Sequence, residues 1–209
     1  FGDRQLPQSV GNSFRVALSC VVITVVVGVP LAIALRSADF PGKRILERVL
    51  LLPLLVPQLI TGLAVLIILN QIDYRLSLAT VILGQSIAWM PVVISQVYSR
   101  LNRMGDSLAN ASMDLGANRW HTLWSVIMPN LVTPIVGSSL LVFALAFDEL
   151  PITFFLTGSA NTLPMHIWSM LRTGITPVIN AVGAITITLS IVLVLVAVRL
   201  LGRGRGEPV

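Results

Sequence analysis

Two neighbouring carboxylates, Asp148 and Glu149, are the first candidates for chemistry because they follow a long apolar stretch of the sequence. Ionisable side chains in such a setting are costly to keep and are functional candidates by default. The sequence leaves two interpretations open. The pair is functional, or it is a structural pair satisfied by helix ends or by an arginine from elsewhere in the chain.

Signatures of catalysis are missing from the sequence. It contains no GxxxxGK[ST] phosphate-binding loop, no HExxH zinc motif and no Gly-x-Ser-x-Gly nucleophile motif. His121 and His166 each stand alone, and Cys20 is the single cysteine, so neither a metal site nor an internal disulfide is expected. We therefore expect a chain that is not an enzyme and that binds no metal or cofactor of its own.

The composition indicates a membrane protein. Hydrophobic residues make up 55% of the 209 residues and charged residues 11%, against about 25% charged in typical soluble domains. Five uncharged stretches each reach the roughly 20 residues that cross a hydrocarbon core. Because only closed backbone hydrogen bonding survives in lipid, we expect an all-α integral membrane protein with spans at residues 12–35, 49–70, 76–98, 131–155 and 178–201.

The basic residues predict an orientation. If the first span runs from outside to inside, ten of the 14 lysines and arginines face the cytoplasm and four face outward, as the positive-inside rule requires. The net charge of +5 then reflects topology, and no nucleic-acid partner is expected. The carboxyl terminus is predicted to be cytoplasmic. An outward amino terminus predicts an earlier span, hence six in the native protein, with a cleaved signal peptide as the alternative.

Two of the predicted spans contain residues that are unusual in helices facing lipid. The second span carries Pro53, Pro57 and Gly62, which either face a cavity or kink a packed helix. The third span carries Gln85 and Trp89 among other polar groups, which either line a path or join neighbouring helices.

A polar stretch, residues 107–130, interrupts the apolar sequence on the predicted cytoplasmic side. Its small residues, Gly116 and the closing Pro129 predict a short helix, a glycine-hinged turn and a second helix. Trp120 and Trp124 follow the glycine at i and i+4 and so share one helical face. They either anchor the loop at an interface or pack beneath the spans. A compact element outside the bilayer is suited to docking on another protein.

The spacing within this stretch resembles the EAA loop of ABC-importer permeases, Glu-Ala-Ala followed by glycine and a closing Leu-Pro. Asn110 stands for the glutamate, Ser112 for the second alanine and Met128 for the leucine, whereas Ala111 and Gly116 match. The small residues and the glycine that permit close docking are therefore retained. Further stretches are similar to the spermidine/putrescine permease branch of that family, at residues 97–101, 163–170 and 174–181.

This resemblance implies a type I ABC importer transmembrane domain in a bacterial plasma membrane. Residues 1–209 would form one permease domain with a coupling loop at about 101–130 and an outer loop at about 156–177. Its partners would be an ATPase dimer that holds ATP and Mg²⁺, a second permease subunit, an extracytoplasmic substrate-binding protein and membrane lipid. The residues implied at the ATPase contact are Asn110, Ala111, Ser112, Asp114, Gly116, Ala117 and Arg119. Of these, Asp114 and Arg119 form polar contacts with the ATPase or belong to a solvated face.

The implied function is ATP-driven import by alternating access of a receptor-delivered solute, with a polyamine as first choice. Asp148 and Glu149 would meet the cation or shape an outer gate, and Trp89 would offer a cation–π wall. An amino acid such as 4-aminobutyrate, or a phosphonate, is the alternative solute. A secondary transporter and a membrane scaffold are the alternative classes, the first predicting coupling acids near the midplane and no docking helix.

Overall fold

The structure is a computed structural model that describes residues 5–38, 40–173, 183, 184 and 188. The described part of the chain is built from helices. They are α1 (Gln5–Ser37), α2 (Lys43–Leu51), a 3-10 turn (Leu52–Leu54), α3 (Gln58–Gln71), α4 (Leu78–Met104), α5 (Ser107–Asp114), α6 (Arg119–Thr122), a π-helical turn (Leu123–Ile127), α7 (Met128–Phe147), α8 (Pro151–Leu156) and α9 (Leu163–Thr173).

Three helical segments in the described ranges are long and apolar enough to cross a membrane: Gln5–Ser37, Leu78–Met104 and Arg119–Phe147. They contain the first predicted span and most of the third and fourth. A fourth crossing is possible if Lys43–Leu54 and Gln58–Gln71 together form one broken span. The predicted fifth span, residues 178–201, lies outside the described residues.

The second predicted span, residues 49–70, is interrupted by a sharp bend. The chain bends by 104° between Lys43–Leu54 and Gln58–Gln71. Proline supplies the physical reason, because Pro53 lies in the 3-10 turn and Pro57 precedes α3, and neither nitrogen can donate a helical hydrogen bond. The amphipathic α2 has no buried residue, and it is held to α4 by the Tyr98 hydroxyl, which donates to Glu47 Oε1 at 2.6 Å.

The fourth predicted span, residues 131–155, is also shorter than expected. Helix α7 ends at Phe147, and α8 starts at Pro151, whose fixed φ suits the first turn of a new helix. Asp148 and Glu149 therefore lie in the connection between the two helices.

Glycine brings α8 against its neighbours. A Cβ added at Gly62 of α3 would lie 3.0 Å from the Ile152 Cα, and one added at Gly84 of α4 would meet Leu156 and Ile152. Gly62 therefore allows α3 and α8 to pack closely. Of the two expectations for this residue, a packed helix fits and a cavity-facing position does not.

The buried core lies where α1, α4 and α7 pack together. The outer loop closes one end of this bundle through two hydrogen bonds to α1. Asn12 Nδ2 donates to the Asn161 carbonyl at 2.9 Å, and the Leu163 backbone N–H donates to Ser13 Oγ at 2.8 Å. The remainder of the predicted outer loop beyond Thr173 lies outside the described residues.

Candidate functional site

The predicted coupling loop contains a short helix held between two glycines. Helix α4 ends at Met104, and Gly105 (φ 64°) and Asp106 lead into α5; Gly116 (φ 88°) follows it. Positive φ is the region that L side chains avoid. A Cβ at either glycine would meet nothing within 4 Å, so within the described part of the chain each glycine is needed for its backbone conformation and not for close packing. The predicted helix, glycine turn and second helix are present at these positions.

Helix α5 presents its surface to the outside of the chain, since none of its residues is buried. Asn110, Ala111 and Asp114 are exposed on α5, and Ser112 is half-buried. Beyond α5, Gly116 and Arg119 are exposed and Ala117 is half-buried. The predicted contact residues thus share one loop and remain available for a partner, and neither Asp114 nor Arg119 has an ion-pair partner among the described residues.

An apolar patch on this loop escaped the sequence reasoning. The Leu115 side chain is 90% exposed, and Leu108 and Met113 are also exposed. Large apolar side chains so open to water commonly mark a protein-interaction surface when they occur together. The sequence did contain a sign of this patch. Leu115 directly precedes the predicted glycine turn, where no membrane span can cover its side chain.

Two hydrogen bonds fix the shape of the loop. Ser112 Oγ and Thr122 Oγ1 lie 3.0 Å apart, which joins α5 to α6 across the turn. Asn118 caps α6, because its Oδ1 accepts from the His121 backbone N–H at 2.7 Å. Ser112, which stands where the EAA-loop pattern has alanine, therefore links α5 to α6 through its hydroxyl.

The tryptophan pair does not pack beneath the spans of this chain. Trp120 is 69% exposed and Trp124 is 53% exposed. Their ring centroids lie 5.7 Å apart in an edge-to-face arrangement, as their i, i+4 spacing predicts. Of the two expectations, the structure favours an anchor that faces outward from the chain.

Polar contacts tie both ends of the loop to the spans. Arg36 Nη2, in the last turn of α1, lies 2.7 Å from Asp106 Oδ1 at the start of α5. Arg100 of α4 donates through Nε to the Asn130 carbonyl in α7 at 3.3 Å. The partners in the first pair are 70 residues apart in sequence, so composition and periodicity give no sign of it.

The two candidate carboxylates lie in different environments. Asp148 is exposed, whereas Glu149 is only 4% exposed. The Glu149 carboxylate accepts from the backbone N–H groups of Ile152 at 2.5 Å and Thr153 at 3.0 Å. It also accepts from Thr153 Oγ1 at 2.9 Å and from Gln85 Nε2 at 3.1 Å. These four donors make Glu149 the acceptor for the first turn of α8 and a link between α8 and α4.

Trp89 lies one turn after Gln85 on α4 and is buried. Trp89 Nε1 and Gln85 Oε1 are buried atoms without a hydrogen-bond partner in the described structure. Unpaired buried polar atoms are costly, and such groups commonly mark a functional site or a water site. Gln85, which the sequence left as a path-lining or a helix-joining residue, thus bonds Glu149 and lies one turn from Trp89. Asp148 lies outside this buried group.

Metal-ligating residues do not gather within the described ranges, where no group of three or more His, Cys, Asp or Glu side chains is found. His121 is exposed on the coupling loop, and His166 is buried in α9.

Comparison with known proteins decides the family. Residues 24–205 match the family described as binding-protein-dependent transport system inner membrane component. The chain belongs to this family. It is therefore an inner-membrane permease that crosses the membrane several times, and the all-helical prediction and the recognition of an ABC-importer permease are confirmed.

Several relatives are polyamine permeases by name. The spermidine/putrescine transport system permease protein PotC of Haemophilus influenzae is 29% identical over 188 residues, which cover 90% of this chain and 73% of the relative. The putrescine transport system permease protein PotI of Escherichia coli is 30% identical over 196 residues, 88% of this chain and 69% of the relative. The sulfate transport system permease protein CysW of Synechococcus elongatus is 25% identical and 79% of this chain is covered.

Solved structures share the fold at low sequence identity. The MetNI methionine ABC transporter in an inward-facing conformation matches with a TM-score of 0.81 at 15% identity, over 95% of each chain. A bacterial alginate ABC transporter in complex with a pentasaccharide-bound periplasmic protein matches with a TM-score of 0.78 at 14% identity, over 100% of this chain and 82% of that chain.

Proposed function

We propose that this permease imports a polyamine, spermidine or putrescine, by alternating access driven by a separate ATPase. The observation that carries the ATP-driven part is the exposed α5 helix between two membrane spans, with Leu115 open to a partner. The names of the PotC and PotI relatives support the substrate class. The protein binds no cofactor of its own, and it is not catalytic.

The assembly that we propose has four kinds of component. Two permease subunits pair in the membrane, identical or different, and each seats its coupling helix on one ATPase of a dimer that holds ATP and Mg²⁺. An extracytoplasmic binding protein delivers the solute to the outer face. The carboxyl terminus lies in the cytoplasm, as the distribution of basic residues favours.

ATP binding draws the ATPases together, and the docked loops pass this movement to the spans so that the path opens outward. Hydrolysis returns the path to the inward-facing state. The nucleotide and the loaded binding protein both bias one two-state equilibrium, which is how the two sites become coupled. The contacts of Ser112 with Thr122 and of Asp106 with Arg36 give the loop a defined attachment to the spans.

Asp148 is the carboxylate that we propose to meet a cationic solute. It is exposed, whereas the Glu149 oxygens already accept four hydrogen bonds. Glu149 instead shapes the outer part of the path by holding α8. Trp89, with its unpaired Nε1, is a candidate aromatic wall when the surrounding helices separate.

Reconstitution tests the proposed function. The complex of permeases and ATPase is placed in liposomes with ATP inside and the loaded binding protein outside, and uptake of labelled spermidine and putrescine is measured. We expect uptake that requires both ATP and the binding protein. Receptor-dependent uptake of sulfate or 4-aminobutyrate without polyamine uptake would overturn the substrate class. Polyamine uptake without the ATPase would favour a secondary transporter.

The carboxylate assignment has its own test. Asp148→Asn should lower polyamine uptake while thermal stability stays within error of the unsubstituted protein. Unchanged uptake in a normally assembled complex would remove Asp148 from the solute path.

A further inference from the structure

An ion pair joins the end of the first described span to the start of the coupling helix. Arg36 occupies the last turn of α1, and Asp106 is the residue directly before α5. Arg36 Nη2 donates to Asp106 Oδ1 at 2.7 Å, a short charge-assisted hydrogen bond. Arg36 is half-buried and Asp106 is exposed, so the arginine is the better anchored partner.

The surroundings of this pair are loosely packed. A cavity of about 110 Å³ lies between the ends of α1 and α4 and the coupling helix, with Arg36 and Asp106 in its wall. Helix α5 packs instead on α6 and on the π-helical turn. The ion pair therefore spans a gap that apolar side chains do not fill.

The backbone at both ends of α5 does little to fix the orientation of the helix, which the Ser112–Thr122 hydrogen bond holds on the side of α6. Gly105 and Gly116 have positive φ and open space around them. Glycine accesses more backbone conformations than any other residue. A force applied to α5 could then turn the helix about these glycines without moving α1. The Arg36–Asp106 contact opposes such a turn from the side of α1.

We propose that Arg36 is a positioning residue that makes α1 move with the coupling helix, so that ATP hydrolysis is converted into movement of the spans. This inference rests on the proposed function. Helix α1 is the right recipient, because its inner face packs on α4 and α7 in the buried core. Arg100 plays the corresponding part at the other end of the loop by bonding Asn130 of α7.

Charge exchange tests the proposal in the assembled transporter. The variants are Arg36→Asp, Asp106→Arg and the double variant that carries both substitutions. Arg44→Asp is the matched control, because Arg44 is an exposed arginine on α2 whose loss leaves the loop contacts in place. Three quantities are measured in liposomes: ATPase bound to the permease, ATP hydrolysed, and polyamine taken up per ATP.

The expected result separates coupling from assembly. Exposed ion pairs shift an equilibrium by up to about fivefold, and Arg36→Asp also places two carboxylates in contact. We therefore expect each single variant to bind ATPase and hydrolyse ATP while uptake per ATP falls by about fivefold. The double variant should recover uptake per ATP to the level of Arg44→Asp.

Two results would overturn the role of Arg36. One is a double variant that transports no better than the single variants, and the other is an Arg36→Asp protein that matches Arg44→Asp. If the unsubstituted permease bound no ATPase, the proposed function and the inference would both be refuted. Monodisperse elution and unchanged helix content of each variant exclude misfolding as the cause of any loss.

Discussion

Replacing Glu149 with alanine tests whether this buried carboxylate is a structural acceptor. The substitution removes the partner of the Ile152 and Thr153 backbone N–H groups and of one Gln85 N–H. The Thr153 hydroxyl and the second Gln85 contact keep partners, because Thr153 Oγ1 also donates to the Glu149 carbonyl and accepts from Gln85 Nε2. Three buried donors are therefore left unpaired.

A buried donor without a partner costs about 1–3 kcal/mol. Three such donors give a loss of at least about 3 kcal/mol in the free energy of unfolding. For a chain of this size about 1 kcal/mol corresponds to about 2–4 °C in Tm, so we expect Tm to fall by about 6–12 °C. Glu149→Gln should lower the free energy of unfolding by less than Glu149→Ala, because the amide oxygen can still accept hydrogen bonds. Some loss remains, because the amide NH₂ group faces donors that had bonded the second carboxylate oxygen.

Thermal unfolding in detergent, followed by loss of the monodisperse elution peak, measures this effect. Asp148→Asn is the matched control, because it removes the neighbouring charge from an exposed position. Exposed substitutions of this kind change stability by about 0.5 kcal/mol or less. If Glu149→Ala unfolded within about 2 °C of Asp148→Asn, Glu149 would not be holding α8, and the structural role derived from its four donors would be refuted.

Three further outcomes follow from the described contacts. Leu115→Asn should reduce the ATPase that co-purifies with the permease without lowering its Tm, since Leu115 is 90% exposed; retained ATPase would remove Leu115 from the interface. Gly116→Ala should cost about 1–2 kcal/mol through its positive φ, whereas Gly11→Ala in α1, also open around its Cβ, should not lower Tm in the same scan. Gly84→Leu should prevent α8 from packing on α4, because even a Cβ there would meet Leu156 and Ile152; limited proteolysis that leaves this region as resistant as in the unsubstituted protein would contradict this.

Local chemistry made part of this structure predictable. The absence of charge over long stretches marked the helices that can cross a membrane. Gly116 and the small residues before it marked the helix and turn at residues 107–118. Both signals act over a few residues, because helix formation and turn geometry depend on near neighbours. The breaking effect of Pro53 and Pro57 was visible in the same way, but the 104° angle was not, because packing of α3 against α8 sets the direction of the second segment.

Contacts between distant residues account for what the sequence did not reveal. Gln85 reaches Glu149 across 64 residues, and Arg36 reaches Asp106 across 70. Neither pair has a spacing that a helical period could expose. The sequence likewise left two positions open for Trp120 and Trp124. Their i, i+4 spacing shows that they share a face, but it does not show which surface that face meets.

The environment of Glu149 also limits how a cation can be recognised. In this conformation the carboxylate is buried at 4% exposure and serves the first turn of α8, so an ammonium group could reach it only if the surrounding helices part and donors from Ile152, Thr153 or Gln85 lose their acceptor. Each displaced donor would need a new acceptor, or would cost about 1–3 kcal/mol. The Asp148 carboxylate accepts no such hydrogen bond among the described contacts. A solute that binds Glu149 must therefore move α8 away from α4, whereas a solute that binds Asp148 can do so with the helices as they stand.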